Sequence, residues 1–209
     1  MSTELELTSW RRAVAELYAG VRAADDPAAG HALWRAGRDA LFREHPQSPL
    51  APDDPLRTTG LPCAPYDPAL RSVLELLPAR DADARLELDG GDDAGTVLRP
   101  VGRVELPDPV GGSLDVWWLQ QYGGGLFLPL RDGSSGRAVD GFSSYGGGRY
   151  LLDTAKGADL GGDDGHLVVD LNFAYHPSCR YDSRWLCPLA PAGNTVSAVV
   201  RAGEQMPLG

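Results

Sequence analysis

Trp10, Val14, Leu17, Tyr18 and Val21 recur at i, i+4, i+7, i+8 and i+11, one face of a helix, and predict an amphipathic helix over residues 8–24. Asp25, Asp26 and Pro27 then supply a stop and a new N-cap with proline at the first helical position. A second helix is predicted to about Arg43, with Leu33, Gly37, Ala40 and Leu41 on one stripe. Pro46 disfavours helix at the residue before it, and Ala51–Pro55 reads as a loop. Pro68–Leu77 predicts a short third helix. From about Ala84 the period falls to two. Strands are predicted at Arg85–Leu88, Thr96–Leu106, Leu114–Tyr122, Leu126–Leu130, Arg149–Asp153, Leu167–Tyr175 and Thr195–Ala202. Turn-forming clusters separate them at Asp89–Asp93, Pro107–Gly112, Asp132–Gly136, Gly157–Gly165 and Pro188–Asn194. Short strands without long intervening helices imply antiparallel pairing. The expected fold class is α+β, mainly β: an antiparallel barrel-like or sandwich sheet with two to three N-terminal helices packed on it.

Composition changes this picture little. The 209 residues include 26 Gly and 17 Pro, which weighs against a mainly helical protein. The net charge of −10 argues against non-specific nucleic-acid binding, which needs clustered cations. No run approaches the ~18 apolar residues of a membrane helix, and the N-terminus, with Glu4 and Glu6, lacks the pattern of a secretion signal. A cytoplasmic location is expected, with no membrane and no nucleic-acid partner. Three cysteines, an odd count in a reducing compartment, do not suggest a disulfide framework. Tyr122-Gly-Gly-Gly-Leu-Phe-Leu128 recurs as Tyr145-Gly-Gly-Gly-Arg-Tyr-Leu151. A helix N-terminus would have to follow for either copy to cradle phosphate, and strand-like residues follow instead.

Candidate chemistry concentrates in the last third. Strand alternation points Leu167, Val169, Leu171, Phe173 and Tyr175 to one face and Asp170 and Asn172 to the other. Asp and Asn are disfavoured in plain exposed strands, so the pair suggests a polar pocket. Arg149, after Gly147 and Gly148, is suited to an anionic group, and Trp117, Trp118 and Tyr122 are candidate apolar lining. Asp153, Asp170 and Glu204 are candidate carboxylates for acid–base work, with pairing to arginine as the structural alternative. His176, Cys179 and Cys187 are zinc-type ligands, but the spacing is not that of a common zinc site and a fourth ligand is missing, so no metal is assigned. Cys179 is a candidate nucleophile beside Arg180 or His176, or else one of two thiols able to pair with each other. No Gly-x-Ser-x-Gly motif is present.

Long motifs carry a resemblance. Tyr145-Gly-Gly-Gly-Arg-Tyr-Leu-Leu-Asp153, Lys156-Gly-Ala-Asp-Leu160, Asp170-Leu-Asn-Phe-Ala-Tyr-His-Pro-Ser-Cys179, Cys187-Pro-Leu-Ala-Pro191, Asn194 and Arg201-Ala-Gly-Glu204 resemble the bacterial and archaeal family DUF1684. Trp34, Arg38, Ser48-Pro-Leu50, Tyr66-Asp-Pro68 and Leu126-Phe-Leu-Pro-Leu-Arg-Asp132 resemble it as well. The resemblance spans nearly the whole chain and implies one domain over residues 1–209, within which the periodicity places a helical segment at 1–50 and a β-rich body at 84–205. Two positions depart from the family pattern: it usually has Asn in place of His176, and a shorter loop than Arg137–Ser144. A family of unknown function implies no reaction and no cofactor.

The expected function is binding of a small polar or anionic molecule in a barrel-like pocket. Tyr145, Arg149, Asp153, Asn172, Tyr175, His176, Cys187 and Glu204 are its candidate binding residues. The alternatives are a hydrolase- or lyase-type enzyme using Asp170 or Cys179, and a structural or partner-binding module without a pocket.

Overall fold

The structure is a computed structural model describing residues 2–88 and 95–207. Helices α1 (Thr3–Arg22) and α2 (Pro27–Glu44) form where the helical period places them. The Asp26 carboxylate caps α2, accepting from the Ala28 and Ala29 backbone N–H groups at 3.2 Å each. The buried face of α2 is Gly30, His31, Trp34 and Phe42, not the predicted stripe through Leu33, which is 46% exposed. Arg38 explains the difference. It sits between Trp34 and Phe42 on the inward face, with its guanidinium over both rings, so a charge interrupts the apolar stripe.

After the single turn α3 (Leu56–Thr59), the predicted helix over Pro68–Leu77 is instead a 3-10 turn, Pro68–Leu70, leading into strand β1 (Arg71–Glu75). Asp67 caps the turn, but Ser72 and Leu74 alternate in burial with Arg71, Val73 and Glu75, a strand pattern too short to distinguish from a helix by sequence.

Strands β2 (Leu86–Leu88), β3 (Thr96–Glu105), β4 (Ser113–Leu119), β5 (Leu126–Leu130) and β6 (Arg149–Asp153) form a curled antiparallel half-barrel in chain order. The turn expected at Asp89–Asp93 lies outside the described residues. A second sheet has β8 (His166–Asp170) between β1 and β7 (Gly162–Asp163). The fold is α+β, mainly β, with the helices N-terminal. Beyond β1 the chain crosses to the half-barrel, where Leu77 and Arg103 exchange backbone hydrogen bonds of 2.9 Å beside a bulge at Val101.

The half-barrel is buried on both faces. One face packs Val104, Leu114, Val116, Leu128 and Leu151 against Tyr18, Trp34, Val169 and Phe173. The other carries a smaller core of Leu98, Trp117, Phe127 and Tyr150, bordered by Leu119 and Cys187. Strand β6 is therefore buried at all five positions.

Two expected strands differ. The strand over Leu167–Tyr175 stops at Asp170, whose carboxylate accepts the Asn172 N–H at 3.0 Å and caps a 3-10 turn, Leu171–Phe173. The strand over Thr195–Ala202 is an irregular segment with a single bridge, Arg131 to Thr195. Its buried positions Val196, Val200 and Ala202 were legible, but side chains rather than a neighbouring strand satisfy much of its backbone.

Candidate functional site

Arg149 opens β6 and is fully buried. Gly148 precedes it at φ +93°, where any added Cβ would stand 2.7 Å from the Leu130 carbonyl. That approach turns Arg149 inward, onto the C-terminal segment. One terminal nitrogen donates to the carbonyls of Ala202 and of Glu204, the latter at 3.1 Å. The other donates to Val200 O at 3.0 Å and Asp132 Oδ2 at 3.1 Å. Asp132 also accepts from the Val200 N–H at 2.7 Å and from the hydroxyl of Ser134 at 2.7 Å. The terminal nitrogens that suited Arg149 to an anionic ligand are thus spent on the protein itself, while its Nε is buried without a hydrogen-bond partner among the described residues.

Asp170 and Asn172 are also fully buried and engage each other, Asn172 Nδ2 donating to Asp170 Oδ1 at 2.7 Å. The Asn172 amide also pairs with the Asp67 backbone, accepting from its N–H and donating to its carbonyl, both at 2.8 Å. Tyr66 donates its hydroxyl to Asp170 Oδ2 at 3.3 Å. Burial pushes the Asp170 carboxyl above its ordinary range, opposed by the Asn172 and Tyr66 hydrogen bonds. The pair latches the Tyr66–Leu70 segment onto the end of β8. The face expected to line a pocket is filled by that segment, because the strand ends where the alternation was extrapolated.

A third buried group centres on Glu204. Arg38 Nε donates to its Oε1 at 2.6 Å, and the His176 N–H donates to its Oε2 at 2.7 Å. The Arg38 guanidinium also lies 4.8 Å from the ring centroid of Tyr175, joining that residue to the cluster. His176 Nε2 accepts the Tyr145 N–H at 3.2 Å, which leaves the ring proton on Nδ1, 3.8 Å from Glu204 Oε2. Burial, with Arg149, Arg180 and Arg38 nearby, holds the His176 imidazole well below its usual pKa, so it is neutral. Arg38 is the member that sequence reasoning left unassigned. The signal for it was a charged residue at i+4 from Trp34 and i−4 from Phe42.

Asp153 lies at one end of the half-barrel. An open groove of about 320 Å³ lies there, lined by the ends of all five strands. Leu88, Leu98, Leu119, Leu126 and Phe127 give it an apolar floor, and Leu186 and Pro188 form one wall. Arg11 of α1, buried Asp153 and the following turn through Lys156 supply its polar side. Lys156 pairs with Asp153 at 3.0 Å and remains about half exposed. Gly124, in the groove lining, sits directly against the Trp118 ring: its φ is +51° and an added Cβ would collide with that ring. Trp117, expected as pocket lining, is instead core and donates its indole N–H to Asn194 at 2.9 Å, while Tyr122 projects fully into solvent.

Cys187 lies between the two wall residues and borders the small core behind the groove. Cys179 and Cys187 shift each other's acidity in opposite directions, Cys187 below the ordinary thiol range and Cys179 above it. The structure therefore separates the predicted residues into two sets. Arg149, Asp170, Asn172, Tyr175, His176 and Glu204 lie in interior networks, which Tyr145 joins through its backbone N–H to His176, whereas Asp153 lines the groove and Cys187 borders the core behind it. Among the described residues, no group of three His, Cys, Asp or Glu is placed to hold a metal ion, and no helix is long and apolar enough to cross a membrane.

Fold and site together define an α+β half-barrel protein with a mixed apolar and charged groove at its mouth. The chain belongs to the family of proteins of unknown function DUF1684, whose family model matches residues 57–205. It is similar to the solution structure of an uncharacterised protein from Haloarcula marismortui, at 30% identity and a TM-score of 0.56, covering 82% of this chain and 90% of that one. No curated protein matches the chain.

Proposed function

We propose that the protein binds a small anionic molecule with an apolar body in the groove at the mouth of the half-barrel. The observation that carries this reading is the make-up of the groove. About 320 Å³ falls at the lower end of small-molecule sites, and the lining divides between an apolar floor and a polar rim. Leu88, Leu98, Leu119 and Phe127 would take the apolar body. Arg11 and Lys156 at the rim, against one carboxylate at Asp153, leave the polar side with a positive surplus for the anionic group. The enzyme reading has less support, because the oxygens of Asp170 are taken up by Asn172 and Tyr66.

The test is a titration with 8-anilinonaphthalene-1-sulfonate, an apolar fluorophore with one sulfonate. Saturable fluorescence enhancement is expected. Leu119→Asp places a carboxylate on the groove floor and should weaken binding at least tenfold with the far-ultraviolet circular dichroism unchanged. Arg11→Glu, at an exposed helix position, should weaken it several-fold. Unsaturable binding, or wild-type affinity in both variants, would overturn the proposal.

A further inference from the structure

Four aspartates among the described residues stand immediately before a helical turn. Asp26, Asp67 and Asp170 each turn the carboxylate back to accept a backbone N–H of that turn. Asp153 does not cap the 3-10 turn Thr154–Lys156 that follows it. It is only 6% exposed, it lines the groove, and its Oδ2 meets the Lys156 ammonium at 3.0 Å. Pairing with a lysine that is itself about half exposed offsets little of the cost of burying a carboxylate. Thr154, the next residue, also lines the groove. Its Oγ1 accepts the Leu126 N–H at 2.7 Å, which fixes the hydroxyl and leaves its hydrogen to be donated. Gly125 lets the turn press directly on the start of β5: an added Cβ there would stand 2.6 Å from the Ala155 nitrogen. The polar side of the groove thus offers a held acceptor, Asp153, together with three donors, Thr154, Lys156 and Arg11.

We propose that Asp153 selects the head group of the ligand: the groove takes a phosphate monoester that still carries a proton and rejects a sulfate ester of the same shape. The inference rests on the groove as a site for an anion with an apolar body, and it narrows the anion. A singly charged phosphate monoester presents both a P–OH and acceptor oxygens. The P–OH donates to the Asp153 carboxylate, while the remaining oxygens accept the Thr154 hydroxyl and face Lys156 and Arg11. A sulfate ester has the same charge and shape but no proton. Its oxygens would meet the Asp153 carboxylate acceptor to acceptor, with like charges opposed. An ammonium on the ligand would also donate to Asp153, but it would set a third positive charge beside Lys156 and Arg11, which the P–OH does not. A hydrogen bond owed to a buried polar group is the kind of difference by which a site rejects an analogue most strongly.

Competition against 8-anilinonaphthalene-1-sulfonate tests this, with 1-naphthyl phosphate and 1-naphthyl sulfate as competitors that share one apolar body. The work is done at about pH 6, near the second ionisation of a phosphate monoester, so that roughly half of it keeps the proton. On the wild type, the phosphate should displace the dye about tenfold or more better than the sulfate. In Asp153→Asn the amide N–H donates to either anion, and the ratio should fall to within about threefold. The dye itself should bind that variant at least as tightly as the wild type, since a negative charge has left its surroundings, and this shows the groove intact. Equal displacement by the two esters, no displacement by the phosphate, or a preference that survives in Asp153→Asn would overturn the inference while leaving the groove as a binding site. A dye that never saturates would sink both.

Discussion

His176 shows how much a single side chain reveals in this fold. Its position resembles a family asparagine, and the structure explains the equivalence: the ring accepts one backbone N–H, from Tyr145, and faces the Glu204 carboxylate with a donor. An amide offers the same acceptor and donor. What the histidine adds is a titration. Its folded pKa is depressed, by burial first and then by Arg149, Arg180 and Arg38, so below about pH 6.5 the unfolded chain binds a proton that the folded chain refuses. Stability contributed by the neutral ring is complete above that pH and is lost as pH falls, at a limiting slope of about 1.4 kcal/mol per pH unit. His176→Asn should fold and lose less stability between pH 7 and pH 5, by up to about 2 kcal/mol on that slope. Urea denaturation at the two pH values measures this; an equal loss in both proteins would contradict it. Some slope will persist, because burial lowers the pKa of His31 as well. At this scale the sequence identified which polar residues are special but not what each faces. Arg149, Asp170, Asn172 and Glu204 sit in conspicuous motifs because buried polar groups must be matched, and matching by protein looks the same in sequence as matching by ligand.

Among the elements, strands were legible wherever both faces of the sheet pack. Leu126–Leu130 and Arg149–Asp153 have the predicted bounds because apolar side chains fill both sides. The segments that end early do so where one polar side chain captures the backbone, as Asp170 does at the end of β8, and such local capture competes with strand extension. Asn194 extends the same logic between strands. Strands β4 and β5 are paired at Trp117–Phe127 and Trp118–Leu126. Past those pairs, Asn194 Nδ2 bridges the carbonyls of Asp115 and Pro129 at 2.8 and 2.9 Å, and its Oδ1 accepts the Trp117 indole. A prolyl residue in β5 donates no ladder hydrogen bond, and the asparagine supplies a donor there from outside the sheet. Asn194→Ala would leave two carbonyls and an indole N–H without partners in a fully buried place. At roughly 1 kcal/mol or more for each, the expected loss is about 3 kcal/mol in the denaturant midpoint analysis. A loss under about 1 kcal/mol would show that the sheet closes without it.

Over the whole molecule, the charge and the groove pull in opposite directions. The chain carries a net −10, which repels anions at long range, yet the mouth of the half-barrel presents Arg11 and Lys156 above an apolar floor. The net charge was readable from composition; the local inversion was not. It arises only when α1 brings Arg11 to the ends of strands that are far from it in sequence, alongside the chain's one lysine. Both contributions are screened by salt, but over different distances: the rim cations act within a few ångströms, the global charge across many. Raising ionic strength from about 0.02 M to 0.15 M shortens the screening length from roughly 20 Å to about 8 Å, which removes mainly the long-range repulsion. A further rise toward 1 M, where the length is about 3 Å, attacks the rim contacts themselves. Binding of the anilinonaphthalene sulfonate is therefore expected to strengthen over the first interval and to weaken over the second. Arg11→Glu should keep the first change and flatten the second, since it removes a local cation while lowering the global charge only slightly. An affinity that rises steadily with salt in both proteins would mean that apolar burial alone holds the probe and that the rim cations have no part in recognition.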